Sequence, residues 1–268
     1  MMNRRMMLGT SLAASALLIA GCVATRQSIV PGSFAWFDLI TSDPDAAKSF
    51  YGGMFGWQFG SPASDGYIPV SGGGEALGGV IASDDAGSDV EFPSQWVPVL
   101  TVVDTIAATK IALGRGGKQV RSPFATSAGT FSTIRDASGA LLVLYDGPGG
   151  FPLNGSLREN TWYWADLLTD NPSRARSFYH ALAGWETAQK NGQTVFSSGG
   201  AVRGGLVRIS RRKAEPTWLP YVGVSDIGRA IARSQELGGG PLTVAEDAAV
   251  LLDPTGAAVG VSLIGGAA

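Results

Sequence analysis

Residues 36–57, WFDLITSDPDAAKSFYGGMFGW, recur at residues 164–185 as WADLLTDNPSRARSFYHALAGW. The offset is a constant 128 and 11 of the 22 positions are identical, which makes the chain an internal repeat and sets its architecture. Within the stretch, the aromatic, alternating run from Ser33 to Thr41 predicts a strand. Asp43 before Pro44 has the form of a helix N-cap followed by proline at the first helical position. Ala47, Phe50, Tyr51 and Met54 then fall at i, i+3, i+4 and i+7, one apolar face to lie on a sheet. Gly56 ends the helix and Trp57 opens the next strand. In the second copy Ala175, Phe178, Tyr179 and Leu182 reproduce the same face.

Outside the stretch the repeat continues. Strands are expected at Gly66–Ser71 and Leu77–Ala82, around the turn Gly72-Gly73-Gly74, and again at Trp96–Val103. Asp104 caps a second helix reaching Leu113, and Thr130–Arg135 with Ala140–Tyr145 form a hairpin around Asp136-Ala-Ser-Gly139. Gly78-Gly79 corresponds to Gly204-Gly205, Trp96 and Pro98 to Trp218 and Pro220, Asp104 to Asp226, and the Asp136 turn to Asp253-Pro-Thr-Gly256. The offset shrinks along the chain from 126 through 122 to 117, as small loop deletions would make it. The order of elements is βαβββ, repeated within each module. Residues 32–150 form the first module, 151–157 a linker and 158–266 the second module.

Glycine, at 38 of 268 residues, is about twice its usual share, which fits a β-rich fold with many tight turns. The formal charge of −2 gives no basic footprint, so nucleic acid is not an expected partner. Residues 1–21 carry Arg4 and Arg5 and then an apolar run too short for a good membrane span, the pattern of a cleaved signal peptide. The run ends in Ile19-Ala20-Gly21-Cys22, which resembles a bacterial lipobox, and Cys22 is the sole cysteine of the chain. The expectation is a lipoprotein cut before Cys22, acylated there, and held on a membrane of the bacterial envelope, facing the periplasm or exterior, with residues 22–31 as a tether. Arg4-Arg5 also resembles a loose twin-arginine export signal.

Two tandem modules, each with an Asp-Leu-x-Thr strand-to-helix turn, a Ser-Phe-Tyr helix, a Gly-Trp exit and an Asp-x-x-Gly hairpin, resemble the vicinal oxygen chelate superfamily. That group includes glyoxalase I, the bleomycin-resistance proteins and the extradiol dioxygenases. The resemblance spans about Ser33 to Leu263. It implies an α+β fold in which βαβββ-type modules form a cup-shaped mixed sheet with helices outside, and in which paired modules enclose a cavity. It also implies a divalent ion held by His and Glu on the cavity-facing strands. The corresponding positions here are Trp36 and Trp164 on the first strands, Val97 and Leu219 on the third, and Val143 and Gly260 on the last, and none can ligate a metal. The one histidine, His180, lies off the apolar face of the repeated helix and reads as a surface residue.

Two carboxylates remain beside those positions. By the strand period of two, Asp38 shares a face with Trp36, and Asp166 with Trp164. If that face is the cavity, Trp36, Asp38, Trp164 and Asp166 can stack a planar ligand or attract a cationic one. Otherwise the carboxylates satisfy backbone groups near the helix starts and the tryptophans are core. Arg121 and Arg135 are secondary candidates for meeting an anionic ligand. Tyr67, Trp96, Tyr145, Trp218 and Tyr221 offer aromatic surface or core, and the run Arg208, Arg211, Arg212 and Lys213 offers a basic face to lipid headgroups or a solvated turn. The expected function is lipid-anchored, cofactor-free binding or sequestration of a small molecule. The alternative is a divalent-metal-dependent lyase or dioxygenase with an atypical site.

Overall fold

Asp43 accepts hydrogen bonds from the amides of Asp45 and Ala46 at 3.1 and 2.9 Å, so the helix that follows starts where the cap chemistry requires. This helix, α1 (Pro44–Phe55), ends at Gly56 with φ 69°, a left-handed turn that glycine adopts without a Cβ penalty. Its counterpart α3 (Pro172–Ala183) is capped by Asn171 and ends at Gly184 with φ 66°. The expected apolar faces are buried, with one change: Phe55 lies deeper in the core than Met54.

The structure is a computed structural model and describes residues 30–85, 93–147, 158–210 and 214–264. The expected signal segment 1–21, Cys22, the tether up to residue 29, the linker 151–157 and the run 211–213 lie outside the described residues. No helix among the described residues is long and apolar enough to cross a membrane.

The first module is one sheet built from two βαβββ units. The first unit is β1 (Phe34–Thr41), α1, β2 (Gln58–Phe59), β3 (Ile68–Gly72) and β4 (Glu75–Ala82). The second is β5 (Gln95–Thr101), α2 (Thr105–Gly114), β6 (Lys118–Thr126), β7 (Gly129–Arg135) and β8 (Leu141–Asp146). They join through β1 and β5, which pair antiparallel at the middle of an eight-stranded sheet ordered β2-β3-β4-β1-β5-β8-β7-β6. The second module repeats this with β9 (Trp162–Thr169), α3, β10 (Glu186–Lys190), β11 (Gln193–Ser198), β12 (Ala201–Arg208), β13 (Thr217–Val224), α4 (Ile227–Glu236), β14 (Gly240–Val244), β15 (Ala248–Leu252) and β16 (Ala258–Leu263). Its order is β10-β11-β12-β9-β13-β16-β15-β14. Strand β6 falls where the sequence shows Pro123 and the charged residues Lys118 and Arg121. It is an edge strand with two register shifts, which is where a sheet accepts proline.

The α+β expectation holds with one correction. Each module closes its own sheet, and the two sheets turn their helix-bearing faces toward a shared core. Phe34 of β1 packs edge-on against Trp185 and Trp218 of the second module, with ring centroids 5.6 and 4.9 Å apart. Trp162 of β9 lies 4.9 Å from both Trp57 and Trp96. With their backs joined in this way, the helix-free faces look away from each other. The two Trp–Asp pairs therefore sit on separate sheets and belong to separate cups.

Candidate functional site

Two irregularities in the central strands set up the cup faces. Against β5, the register of β1 slips between Phe34 and Trp36, and against β13, that of β9 slips between Trp162 and Trp164. Such a bulge turns two consecutive residues to one side. Ala35 and Trp36 accordingly both pack with Phe131 and Tyr145 on the helix-free face, while Phe34 and Phe37 enter the shared core. Beyond the bulge the period of two resumes, so Trp36, Asp38 and Ile40 share the cup face as expected.

In the first module that face is filled from within. Val99, Phe131 and Tyr145 surround Trp36, and Tyr67, Ile81, Val97 and Leu141 surround Ile40. Asp38 is only 6% exposed, and both its oxygens are engaged: Trp36 Nε1 donates to Oδ2 at 3.1 Å and the Tyr67 hydroxyl to Oδ1 at 3.0 Å. Burial pushes its pKa up from 3.8 to about 7, against the opposing effect of hydrogen bonds from Trp36, Tyr67 and the Gly79 amide. The space for Tyr67 comes from Gly79, the residue paired with Asp38 on β4; a Cβ there would lie 2.1 Å from the tyrosine ring.

The second cup holds a related arrangement with less filling. Trp164 Nε1 donates to Asp166 Oδ1 at 2.8 Å, and the Tyr221 hydroxyl supplies the other side-chain hydrogen bond. Tyr221 sits on β13 opposite Trp164, whereas Tyr67 precedes β3, so the same hydrogen bond reaches each carboxylate from a different part of the fold. Asp166 is half-buried, and desolvation raises its pKa in spite of Trp164 and Tyr221. Tyr163, displaced onto this face by the bulge, is hydrogen-bonded to Ser262 and lies close enough to Asp166 to feel its charge. Gly205, paired with Asp166, makes room for the carboxylate, since a Cβ there would stand 1.9 Å from Oδ1. Gly260 likewise makes room for the Tyr221 ring, at 2.2 Å. A cavity of about 380 Å³ is lined by Asp166, Gly205, Gln193, Thr194, Arg176 and Arg208.

The two Trp–Asp pairs are legible in the sequence, where Tyr67 and Tyr221 read only as aromatic surface or core and Tyr163 and Ser262 do not stand out. A signal was present in Gly79 and Gly205, which mark the repeat and sit directly beside the two aspartates. Arg121 stacks 3.7 Å from the centroid of Phe124, and burial lowers its pKa against the pull of Asp65. Arg135 donates to the carbonyl of Gly139 at 2.9 Å, closing its own hairpin turn. His180 is exposed and faces Glu186 at 3.0 Å, as a surface histidine should.

The six positions that correspond to superfamily metal ligands do fall around the cups. Val97 is registered opposite Asp38, Leu219 opposite Asp166, Val143 beside Val99 and Gly260 beside Tyr221. Their side chains are apolar, aromatic or absent. What surrounds each aspartate is a set of donors, an indole N–H and a phenol O–H, aimed at an acceptor. A chelated cation needs the reverse. Among the described residues no group of three or more His, Cys, Asp or Glu is placed to hold a metal ion. The residues present therefore do not fit the chelate.

Paired βαβββ units joined edge to edge into a cup, twice in one chain, define a tandem vicinal oxygen chelate protein. The chain belongs to the vicinal oxygen chelate superfamily. The glyoxalase-like domain family matches residues 164–262, the second module. A Mycobacterium tuberculosis protein provisionally named glyoxylase CFP32 is 30% identical over 252 residues, covering 87% of this chain and 95% of its own. The anthracycline biosynthesis protein DnrV of Streptomyces peucetius is 28% identical over 256 residues, covering 85% and 91%. Among solved structures, the Mn(II)-bound glyoxalase of Novosphingobium aromaticivorans superposes with a TM-score of 0.57 at 13% identity, over 87% of this chain and 82% of that one. The 2,3-dioxygenase LapB of Pseudomonas sp. KL28 gives 0.57 at 11% identity, over 87% and 93%. At these identities the structural matches speak for the fold alone.

Proposed function

We propose that this chain is a lipid-anchored binding protein of the bacterial envelope, and that its second cup takes up a planar, hydroxyl-bearing small molecule without a chelated metal. The observation that carries the reading is Asp166: a half-buried carboxylate held by Trp164 and Tyr221, beside a cavity, where the fold would otherwise seat a metal. The Trp164 indole and the Tyr163 and Tyr221 rings offer apolar faces for a flat ligand. Asp166, with its raised pKa, exchanges hydrogen bonds with a ligand hydroxyl more readily than a fully solvated carboxylate does. Arg176 of α3 and Arg208 line the adjoining cavity, which the three aromatic rings do not, and suit an ionised phenol or carboxylate on a ligand that reaches past Asp166. The Streptomyces relatives carry the name of anthracyclines, which are planar hydroxylated polycycles, and that shape supports the reading.

The test is a titration of the purified full chain with a dihydroxyanthraquinone, read by quenching of tryptophan fluorescence, before and after chelator treatment. Saturable binding that survives the chelator and is lost in Trp164→Ala and Asp166→Ala is the expected result. No saturable binding, or binding untouched by both substitutions, rejects the site. A tightly held divalent ion at one per chain by elemental analysis rejects the metal-independent reading. For the anchor, mass spectrometry of Cys22 from membranes is expected to show acylation, and a Cys22→Ser chain that stays fully membrane-bound defeats it.

A further inference from the structure

We infer that the outward face of α2, together with Val103 and Val30, is the surface on which the protein rests against the bilayer. This rests on the proposed lipid anchor at Cys22 and adds to it an orientation.

Helix α2 is apolar nearly all round, a pattern that calls for cover on both sides. Thr105, Ala108, Thr109 and Ala112 pack inward, yet Ile106 is 53% exposed and Ile111 and Leu113 are each 41% exposed. Val103, just before the helix, is 83% exposed. The second module provides an internal control at an offset of 122. The inward positions match, with Ile227, Ala230 and Ser234 buried in α4. The outward positions do not: Val103 becomes Ser225, Ile106 becomes Gly228, Ile111 becomes Arg233 and Leu113 becomes Gln235. The fold therefore does not need apolar residues there; in the first module Ile106 and Leu113, two turns apart, line one flank of α2 with Val103 ahead of them, and Ile111 stands on the other flank with the exposed Lys110 between.

The tether identifies what covers this face. Val30, the first described residue, is 57% exposed, and its carbonyl accepts from Thr101 Oγ1 at 3.0 Å. Thr101 ends β5 two residues before Val103, so the anchor segment leaves the fold beside the apolar face. Cys22 and Val30 are eight peptide steps apart, a reach of at most about 28 Å. An acylated Cys22 thus holds this end of the molecule at the membrane. Around the face Lys110, Arg115 and Lys118 are exposed, while Asp104, the one carboxylate between residues 103 and 118, is engaged in capping the Ala107 amide at 2.9 Å. Asp146, which accepts from the Thr105 amide at 2.8 Å, is likewise engaged at the helix start, so exposed apolar side chains interspersed with Lys110 and followed by Arg115 and Lys118 suit an anionic phospholipid surface.

Since Cys22 is the sole cysteine and is consumed by the lipid, single introduced cysteines report cleanly. The lipidated full chain is reconstituted in vesicles of phosphatidylethanolamine and phosphatidylglycerol, as Ile106→Cys and, on the opposing module, Arg229→Cys, each carrying an environment-sensitive fluorophore. The label at 106 is expected to shift to shorter wavelength and to lose most of its quenching by aqueous iodide, while the label at 229 stays quenchable. Equal quenching at both sites, with the Cys22 lipid verified by mass spectrometry, overturns the surface and leaves the anchor standing. Protection that vanishes when the protein is diluted on the vesicles overturns it in favour of a second copy of the chain. An unmodified Cys22 overturns the anchor and this inference together.

Discussion

The hydroxyl of Tyr179, in the second module, donates to Asp136 Oδ2, in the first, at 2.9 Å, and it accepts from Trp218 Nε1 at 2.8 Å. Asp136 Oδ1 meanwhile accepts from the amides of Ser138, Gly139 and Ala140, so one carboxylate closes a hairpin turn and clasps the neighbouring module. The other half mirrors this. Trp96 Nε1 donates to the Tyr51 hydroxyl at 2.8 Å, and that hydroxyl lies close enough to Asp253 to feel its charge, while Asp253 Oδ1 accepts from the Thr255 and Ala257 amides. The Tyr of each repeated Ser-Phe-Tyr helix is therefore a link between modules.

Tyr179→Phe removes the shared hydroxyl and leaves both the Asp136 oxygen and the Trp218 indole without it. The expected cost is about 1–3 kcal/mol of stability, since both groups stay buried. Denaturant unfolding followed by tryptophan fluorescence measures it. A variant as stable as the parent would show that the link contributes nothing.

Asp38 gives the molecule a pH dependence of defined sign. Its folded pKa, about 7, lies above the ordinary 3.8, so between those values the folded state binds more protons than the unfolded one. Stability from this group is thus greatest in acid, falls as pH rises through the window from about 4 to 7, and is level above it. The whole difference amounts to about 4 kcal/mol. Asp136 and Asp166 are raised too and act in the same direction, so the informative quantity is the difference from Asp38→Asn. That variant is expected to gain on the parent as pH rises from about 4 to 7 and to hold the difference above that. Parallel stability curves would contradict the assignment.

How much of this was written in the chain follows from the range of each interaction. Asp43, Pro44 and Gly56 act on backbone groups within a few residues, so helix ends were legible, and the 128-residue repeat made the two modules legible. The pairing of Trp36 with Asp38 was legible for the same reason, being two positions along one strand. The partners of Asp38 and Asp166 were not, because Tyr67 and Tyr221 come from different elements and arrive through sheet register. Nor did the sequence reveal two cups placed back to back, which depends on aromatic contacts such as Phe34 with Trp218 across nearly two hundred residues.

Tyr221→Phe tests the electrostatics of the second cup. The hydroxyl stabilises the Asp166 carboxylate, so its loss leaves desolvation less opposed and drives the pKa further up. A carboxyl carbon titration by NMR, assigned through Asp166→Asn, is expected to show Asp166 titrating at higher pH in Tyr221→Phe than in the parent. An unchanged or lower midpoint would mean that the phenol does not act on the carboxylate.

Gly205 and Gly79 occupy equivalent places beside the two aspartates, yet alanine at each has a different consequence. At Gly205 the new methyl lies 1.9 Å from Asp166 Oδ1 and 3.4 Å from Trp164 Nε1, so the carboxylate has to swing away from the indole. That cup face is half-exposed and can absorb the movement, so Gly205→Ala is expected to keep the fold and weaken anthraquinone binding at least about tenfold, or about 1.4 kcal/mol. At Gly79 the methyl meets the Tyr67 ring at 2.1 Å in a packed face where Asp38, Ile81 and Val97 leave no free direction. There the cost falls on stability, about 1–3 kcal/mol for overpacking, with binding in the second cup retained. Thermal unfolding and the fluorescence titration, run on both variants, separate the two. Equal losses of binding in both would show that the cups are coupled through the shared core and do not act independently.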